Sequence, residues 1–252
     1  MTTIAPAAPT SFVTIFDDTY NQQDCRDYYR MQRALGYASQ GHAVPVFLAA
    51  LDELIRVRGL TNPQIIDFAS SYGIVSALMR YEISADAFFE WYQSSELDDL
   101  TPDEMTQRDR SWLSNLPERN HNATFIGLDV ADRAVAYGQA VGVFDDGFAE
   151  DLQENHPTEA LSSRLADADL IVECGSVAHL MPVALDRMLD VAATKKPWIV
   201  TSPVRGNERQ AAFEVLHNHG YEVQTMGLQP FPHRRFETPV EQARAIDIAK
   251  AA

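Results

Sequence analysis

From residue 64 onward the chain alternates short apolar runs with stretches of helical periodicity, and no other feature restricts its fold as tightly. Gln64-Ile65-Ile66-Asp67-Phe68 is bounded by Asn62-Pro63 on one side and small residues on the other, as a strand buried on both faces would be. Runs of the same kind recur at 123–128, 141–144, 170–173, 198–201 and 221–226. Between them, 74–81, 133–139, 159–166, 183–193 and 207–218 read as helices, and Gly220 follows the last as a terminator. Such alternation predicts a doubly wound α/β fold, a mostly parallel sheet with helices on both faces.

Two stretches depart from the rhythm. Residues 11–59 read as helical: Tyr28, Met31 and Leu35 share a face and Gly36 is a stop. A second helix over 44–57 carries Phe47, Leu48, Leu51, Leu54 and Ile55 on one side, with Pro45 expected in its first turn. Residues 1–10 are rich in Ala, Pro and Thr and are expected to be loosely held. The other departure is a helical insertion over 84–121, with helices at 85–93 and 102–116. The second opens on Thr101-Pro102-Asp103-Glu104, a capping box with proline at the first helical position. The chain thus divides into an N-terminal helical segment, 1–59, and an α/β unit, 60–252.

Charge narrows the partners. Twenty Lys and Arg stand against 36 Asp and Glu, a formal net charge of −16. No Lys/Arg run exceeds two residues, so a phosphate backbone has nothing to neutralise it and nucleic acid is not expected as a partner. The same surface gives no electrostatic foothold on a membrane, and no stretch approaches the roughly 20 apolar residues of a span. Two cysteines, Cys25 and Cys174, form neither a disulfide framework nor a CxxC pair. With no secretory pattern at the start, a reducing, cytoplasmic location is expected.

In an open α/β sheet, ligands bind beyond the carboxyl ends of the strands, so the residues ending each run are the candidates. The first run ends in Asp67, followed by Ala69-Ser70-Ser71-Tyr72-Gly73, a turn small enough to bring backbone close to a ligand. The second ends in Gly127-Leu128-Asp129, where one carboxylate can accept both hydroxyls of a ribose. Asp145-Asp146-Gly147-Phe148 follows the third, an acidic turn beside a ring. Glu173-Cys174-Gly175-Ser176 ends the fourth. Past these lie His179, for which a packing role is open, and Arg205, a candidate anchor for an acidic substrate or the partner of a surface carboxylate. Tyr20, Tyr28, Tyr29 and Tyr37 suit either a lid or a core. His217 and His219 suit a helix C-terminus, and with no third ligand nearby in sequence they do not make a zinc site.

At these residues the sequence resembles the class I S-adenosylmethionine-dependent methyltransferases of the small-molecule, bacterial type. The family's first motif, Asp/Glu-x-Gly-x-Gly-x-Gly, falls on 67–73, with Ala69 and Ser71 in place of two glycines. The acid ending the second strand falls on Asp129, the acidic turn after the third on Asp145 and Asp146, and the fourth-strand loop on 173–176. Asp27-Tyr28-Tyr29-Arg30 and Ser70-Ser71-Tyr72-Gly73 are similar to a bacterial subgroup. One departure is the spacing: Asp129 lies 62 residues after Asp67, where a dinucleotide fold uses about 20, and the insertion accounts for the excess.

The resemblance implies a Rossmann-like sheet of seven strands, the last near 234–238, with the helical start serving as a lid. It implies S-adenosyl-L-methionine as cofactor, its methionyl end over Asp67, Ala69, Ser70, Ser71 and Gly73. Its ribose would lie on Asp129 beside Val130, and its adenine against Asp145, Asp146 and Phe148. Glu173, Cys174 and Gly175 would complete the wall. His179 is then the expected base, and Tyr28, Tyr29 and Arg205 the expected contacts to a small-molecule acceptor; no metal is expected, and a homodimer is left open. A nicotinamide site is disfavoured, because a carboxylate beside a pyrophosphate is repelled whereas one beside a sulfonium or ammonium is attracted. Two alternatives share the fold: another use of the sulfonium, such as cyclisation or group transfer, and a non-catalytic partner protein.

Overall fold

A computed structural model describes residues 19–175, 182–204, 209–226 and 229–251. Gln64–Phe68 (β1), Thr124–Asp129 (β2), Asp146–Ala149 (β3), Leu170–Cys174 (β4) and Trp198–Ser202 (β5) form one sheet of five parallel strands, ordered β3-β2-β1-β4-β5. The most apolar run lies at the centre. Ile65 pairs with Phe125 on one side and Leu170 on the other, so β1 has no edge to show to water.

Ten helices surround the sheet among the described residues: Arg26–Leu35 (α1), Ser39–Arg58 (α2), Ile74–Arg80 (α3), Ala85–Trp91 (α4), Pro102–Ser114 (α5), Asp132–Val141 (α6), Glu159–Ala166 (α7), Pro182–Val191 (α8), Gln210–Asn218 (α9) and Pro239–Ala251 (α10). The two-residue period of the strands splits the core in two. On one face Ile65, Phe125 and Leu170 meet Phe47, Leu51 and Leu54 of α2, Ala77 and Leu78 of α3, and Ala134 of α6. On the other, Ile66, Ile126, Leu128 and Ile171 meet Leu161 and Leu165 of α7, Ala184 and Met188 of α8, and Ala212 of α9. The fold is therefore doubly wound, as the alternation predicts.

The insertion is anchored at its neck. Tyr81 and Glu118 form an antiparallel bridge, and the Glu82 and Arg119 amides donate to Pro117 and Arg80 carbonyls. Helix α5 opens on the expected capping box, with Thr101 and Glu104 each bonding the other's backbone. Helix α4 of the insertion packs with α1: Tyr29, Phe88, Phe89 and Tyr92 are all buried and their rings meet edge-on or tilted. Beside this aromatic cluster lies a buried acceptor, Asp109. Fully buried on α5, it receives Trp91 Nε1–H at 2.9 Å and the Tyr92 and Tyr137 hydroxyls at 2.7 Å each.

Several expectations are corrected. Residues 141–144 are not a strand: Val141 closes α6, and Val143 and Phe144 turn inward as a plug. A Cβ on Gly127 or Gly138 would lie 2.5 or 2.4 Å from the Phe144 ring, so the glycines open the space that the ring fills. The run is apolar because it is buried, not because it is paired. Seven strands are not formed by the described residues. Residues 221–226 are irregular, and 234–238 lie beside the α1–α2 junction, where Arg235 N–H donates to Leu35 O and His233 O accepts from Ala38 N–H. Those backbone groups are spent away from the sheet. Pro45 lies well inside α2, which begins five residues earlier than predicted. Residues 19–24, expected to be helical, are irregular and turn-like ahead of α1, and α10 is a helix beyond those the sequence predicts. No helix among the described residues is long and apolar enough to cross a membrane.

Candidate functional site

The chain runs outward from β1 to β2 and β3, then returns to place β4 on the other side of β1. The strand order therefore reverses beside β1, and the crevice beyond its carboxyl end is where this topology leaves room for a ligand. The turn leaving β1 has an unusual backbone. Ala69, Ser71 and Gly73 all have positive φ, at 57°, 52° and 88°. A left-handed residue with a Cβ costs about 1–2 kcal/mol, so two of them in one five-residue turn are strain that the surroundings must enforce. These are the three positions of the glycine pattern, and the chain keeps its conformation without two of its glycines.

Hydrogen bonds to the neighbouring strand enforce it. Ser70 N–H donates to Leu128 O at 3.2 Å, and Ser71 N–H to Asp129 Oδ2 at 2.8 Å. Asp129, at the end of β2 and nearly buried, also accepts Ala131 N–H and the Tyr20 hydroxyl on Oδ1, each at 2.9 Å. Burial and the adjoining Asp129 push the Tyr20 phenol well above its ordinary pKa, so it stays a donor at neutral pH. The Ser70 hydroxyl is buried and has no hydrogen-bond partner among the described residues.

Asp67 faces the same side of the sheet as Asp129 but is turned inward. Its Oδ2 accepts both the N–H and the hydroxyl of Ser76, at 3.2 and 2.7 Å, and so caps α3 from the strand. Burial raises its pKa to about 7, against the lowering effect of those two bonds. At β4, Glu173 is buried, and the period of the strand directs it to the face of Ile171 while Cys174 shares the face of Asp67. Burial, with Glu173 and Asp67 nearby, lifts the Cys174 thiol well above its normal range, so it is not a nucleophile at neutral pH. Gly175, at φ 73°, lies against His233 and Ser39; a Cβ there would come within 2.8 Å of the imidazole.

Other predicted residues do not gather here. Asp145 and Asp146 stand at the amino end of β3, because the strand begins at Asp146 and runs parallel to β2. Asp145 pairs with Arg80 and accepts Phe125 N–H at 2.7 Å, and Asp146 pairs with Arg164 at 3.0 Å. Both are therefore at the wrong rim of the sheet for a ligand shared with Asp129. Phe148 sits mid-strand and packs with the α7–α8 core. The acids that do follow β3 are Glu150 and Asp151, and Glu150 N–H donates to Asp129 O at 3.0 Å. They lie in plain view in the sequence, six and seven residues beyond the end of the expected strand at 141–144. Tyr29 belongs to the core, whereas Tyr28 packs on Tyr20 and Tyr72 at ring distances of 5.4 Å and is raised to about 12 by burial. Val130 is exposed just past β2. His179 and Arg205 lie outside the described residues.

His233 was not singled out by the sequence. Half-buried against Gly175 and edge-on to Tyr37 at 5.1 Å, its imidazole is lowered to about 4 by desolvation and by Arg234, so it is neutral at pH 7. Only tertiary structure brings residue 233 to the end of β4. Away from this site, His219 Nε2 lies 2.8 Å from Asp186 and 3.9 Å from Asp190, the carboxylates that sequence spacing did not reveal. The three are partly to fully exposed. No protein-family model and no curated protein matches the chain.

Proposed function

We propose that the chain is an S-adenosylmethionine-dependent methyltransferase acting on a small-molecule acceptor. The observation that carries this reading is the turn after β1: left-handed at Ala69, Ser71 and Gly73, and tied through Ser71 N–H to the carboxylate that ends β2. A turn of small residues in that form lets a ligand approach the backbone, and the carboxylate beside it offers two oxygens to a vicinal diol. Asp129 and Glu173 are both buried at this edge, a field that favours a cation over a pyrophosphate.

The residues present fit the cofactor. The Ser70 hydroxyl and the 69–73 backbone would hold its amino-acid end, Asp129 its ribose, and the turn at Glu150 and Asp151, in place of Asp145 and Asp146, its base. When bound, the cofactor supplies an electrophilic methyl group on a sulfonium. Asp67 acts from inside the turn, fixing the first turn of α3 and so the loop above it. Tyr37, Ser39 and His233 beyond β4, and Tyr28 against Tyr72 of the turn after β1, would orient an acceptor and exclude water.

Titration calorimetry with S-adenosylhomocysteine tests the reading. Saturable binding is expected, and Asp129→Asn should weaken it by about 1–3 kcal/mol, the range for a hydrogen-bonded group at a buried carboxylate. A wild-type chain that takes up no ligand overturns the assignment; equal affinity in the variant removes Asp129 from it.

A further inference from the structure

We propose that residues 20–22 form a latch that occupies the diol-binding side of Asp129 until a ligand displaces it; the inference rests on the cofactor reading above. A vicinal diol gripped by one carboxylate needs an open acceptor position on each oxygen. Oδ2 takes one donor, Ser71 N–H. Oδ1 takes two, Ala131 N–H and the Tyr20 hydroxyl, and is therefore full. The Ala131 amide belongs to the β2–α6 turn, so the Tyr20 hydroxyl is the donor that has to leave.

The two residues after Tyr20 hold it in place through further polar contacts. Helix α6 has no cap of its own, because its N-cap residue is Ala131. Asn21 supplies one from more than a hundred residues away: its Oδ1 accepts Arg133 N–H at 2.8 Å and Ala134 N–H at 3.3 Å, while its amide donates to Asp132 at 2.9 Å. Asn21 does so with a left-handed backbone, φ 56°. Gln22 N–H donates to the Tyr72 hydroxyl at 2.6 Å. Every one of these contacts is to an element that borders the crevice: the turn after β1, the end of β2 and the start of α6. They are hydrogen bonds at partly exposed positions, with the Tyr20 ring only leaning on Tyr28 and Tyr72, so the segment releases without opening the core. Ligand binding and latch closure then oppose each other, and each weakens the other by the same factor.

The variant Tyr20→Phe keeps the ring and removes the hydroxyl. It should bind S-adenosylhomocysteine about tenfold more tightly than the wild-type chain, since one hydrogen bond to a carboxylate no longer has to be broken. In the wild-type chain, S-adenosylhomocysteine should speed hydrogen exchange at the Arg133 and Ala134 amides, the opposite of the protection that a bound ligand ordinarily gives. Binding that is unchanged or weaker in Tyr20→Phe, or slowed exchange at those amides, overturns the latch and leaves the cofactor reading standing. If neither chain binds the ligand, both fall.

Discussion

A carboxyl group buried without a cation keeps its proton, and Asp67 shows what that does to stability. Its folded value of about 7 lies above the ordinary 3.8, so between those limits the folded chain holds a proton that the unfolded chain has released. The stability it contributes is complete below about pH 4 and is lost as pH rises through about 7. Asp67→Asn removes the dependence. In urea unfolding, the variant should gain on the wild-type chain by on the order of 2 kcal/mol between about pH 5 and about pH 8. A difference that stays constant with pH would show that Asp67 does not take up a proton on folding. The role of this residue was only half legible in the sequence. Its place at the end of a strand follows from the apolar run; its inward turn toward Ser76 does not, because nothing in the spacing from 67 to 76 distinguishes a ligand contact from a helix cap.

The elements show the same division on a larger scale. β1, β2 and β4 were readable because a strand flanked on both sides must be apolar throughout, and β5, an edge among the described residues, through its Trp198-Ile199-Val200 run; the observed ends of all four differ from the expected ones by a residue at most. The third failed for a physical reason: Val141-Gly142-Val143-Phe144 is apolar to serve as a plug, and the true strand, Asp146-Gly147-Phe148-Ala149, is an edge with half-exposed residues and little apolar signal. That error displaced the acidic turn from Glu150 to Asp145 and with it half of the expected adenine wall. The plug is testable through the glycines beneath it. Gly127→Ala puts a Cβ 2.5 Å from the Phe144 ring and should cost about 1–3 kcal/mol in urea unfolding, with Phe144→Leu in the same chain recovering part of it. Strictly additive losses would mean that the ring does not sit where these glycines make room.

Across the whole molecule, the insertion and the N-terminal helices are one body with the sheet, and Asp109 is the point where they join. It gathers donors from α4 and α6, and the Cys25 thiol reaches it at 3.8 Å from the start of α1. Asp109→Ala leaves the Trp91, Tyr92 and Tyr137 donors without their acceptor and should cost on the order of 3–5 kcal/mol in urea unfolding, whereas Asp109→Asn, which keeps an oxygen, should cost clearly less. Equal losses would point to packing alone. The strand order has a further consequence, for the time course of synthesis. The innermost strand is translated first, yet its second neighbour ends 106 residues after it, at Cys174. At ordinary ribosomal speeds that interval lasts on the order of 5–20 s. During it, the Ile65 side of the nascent strand can be sheltered by α2, made before the strand, and by α3 to α6 as they follow, while the Ile66 side must wait for α7, near the end of the interval, and for α8, beyond it. The half-made chain thus carries one bare apolar flank, the surface a holding chaperone would find.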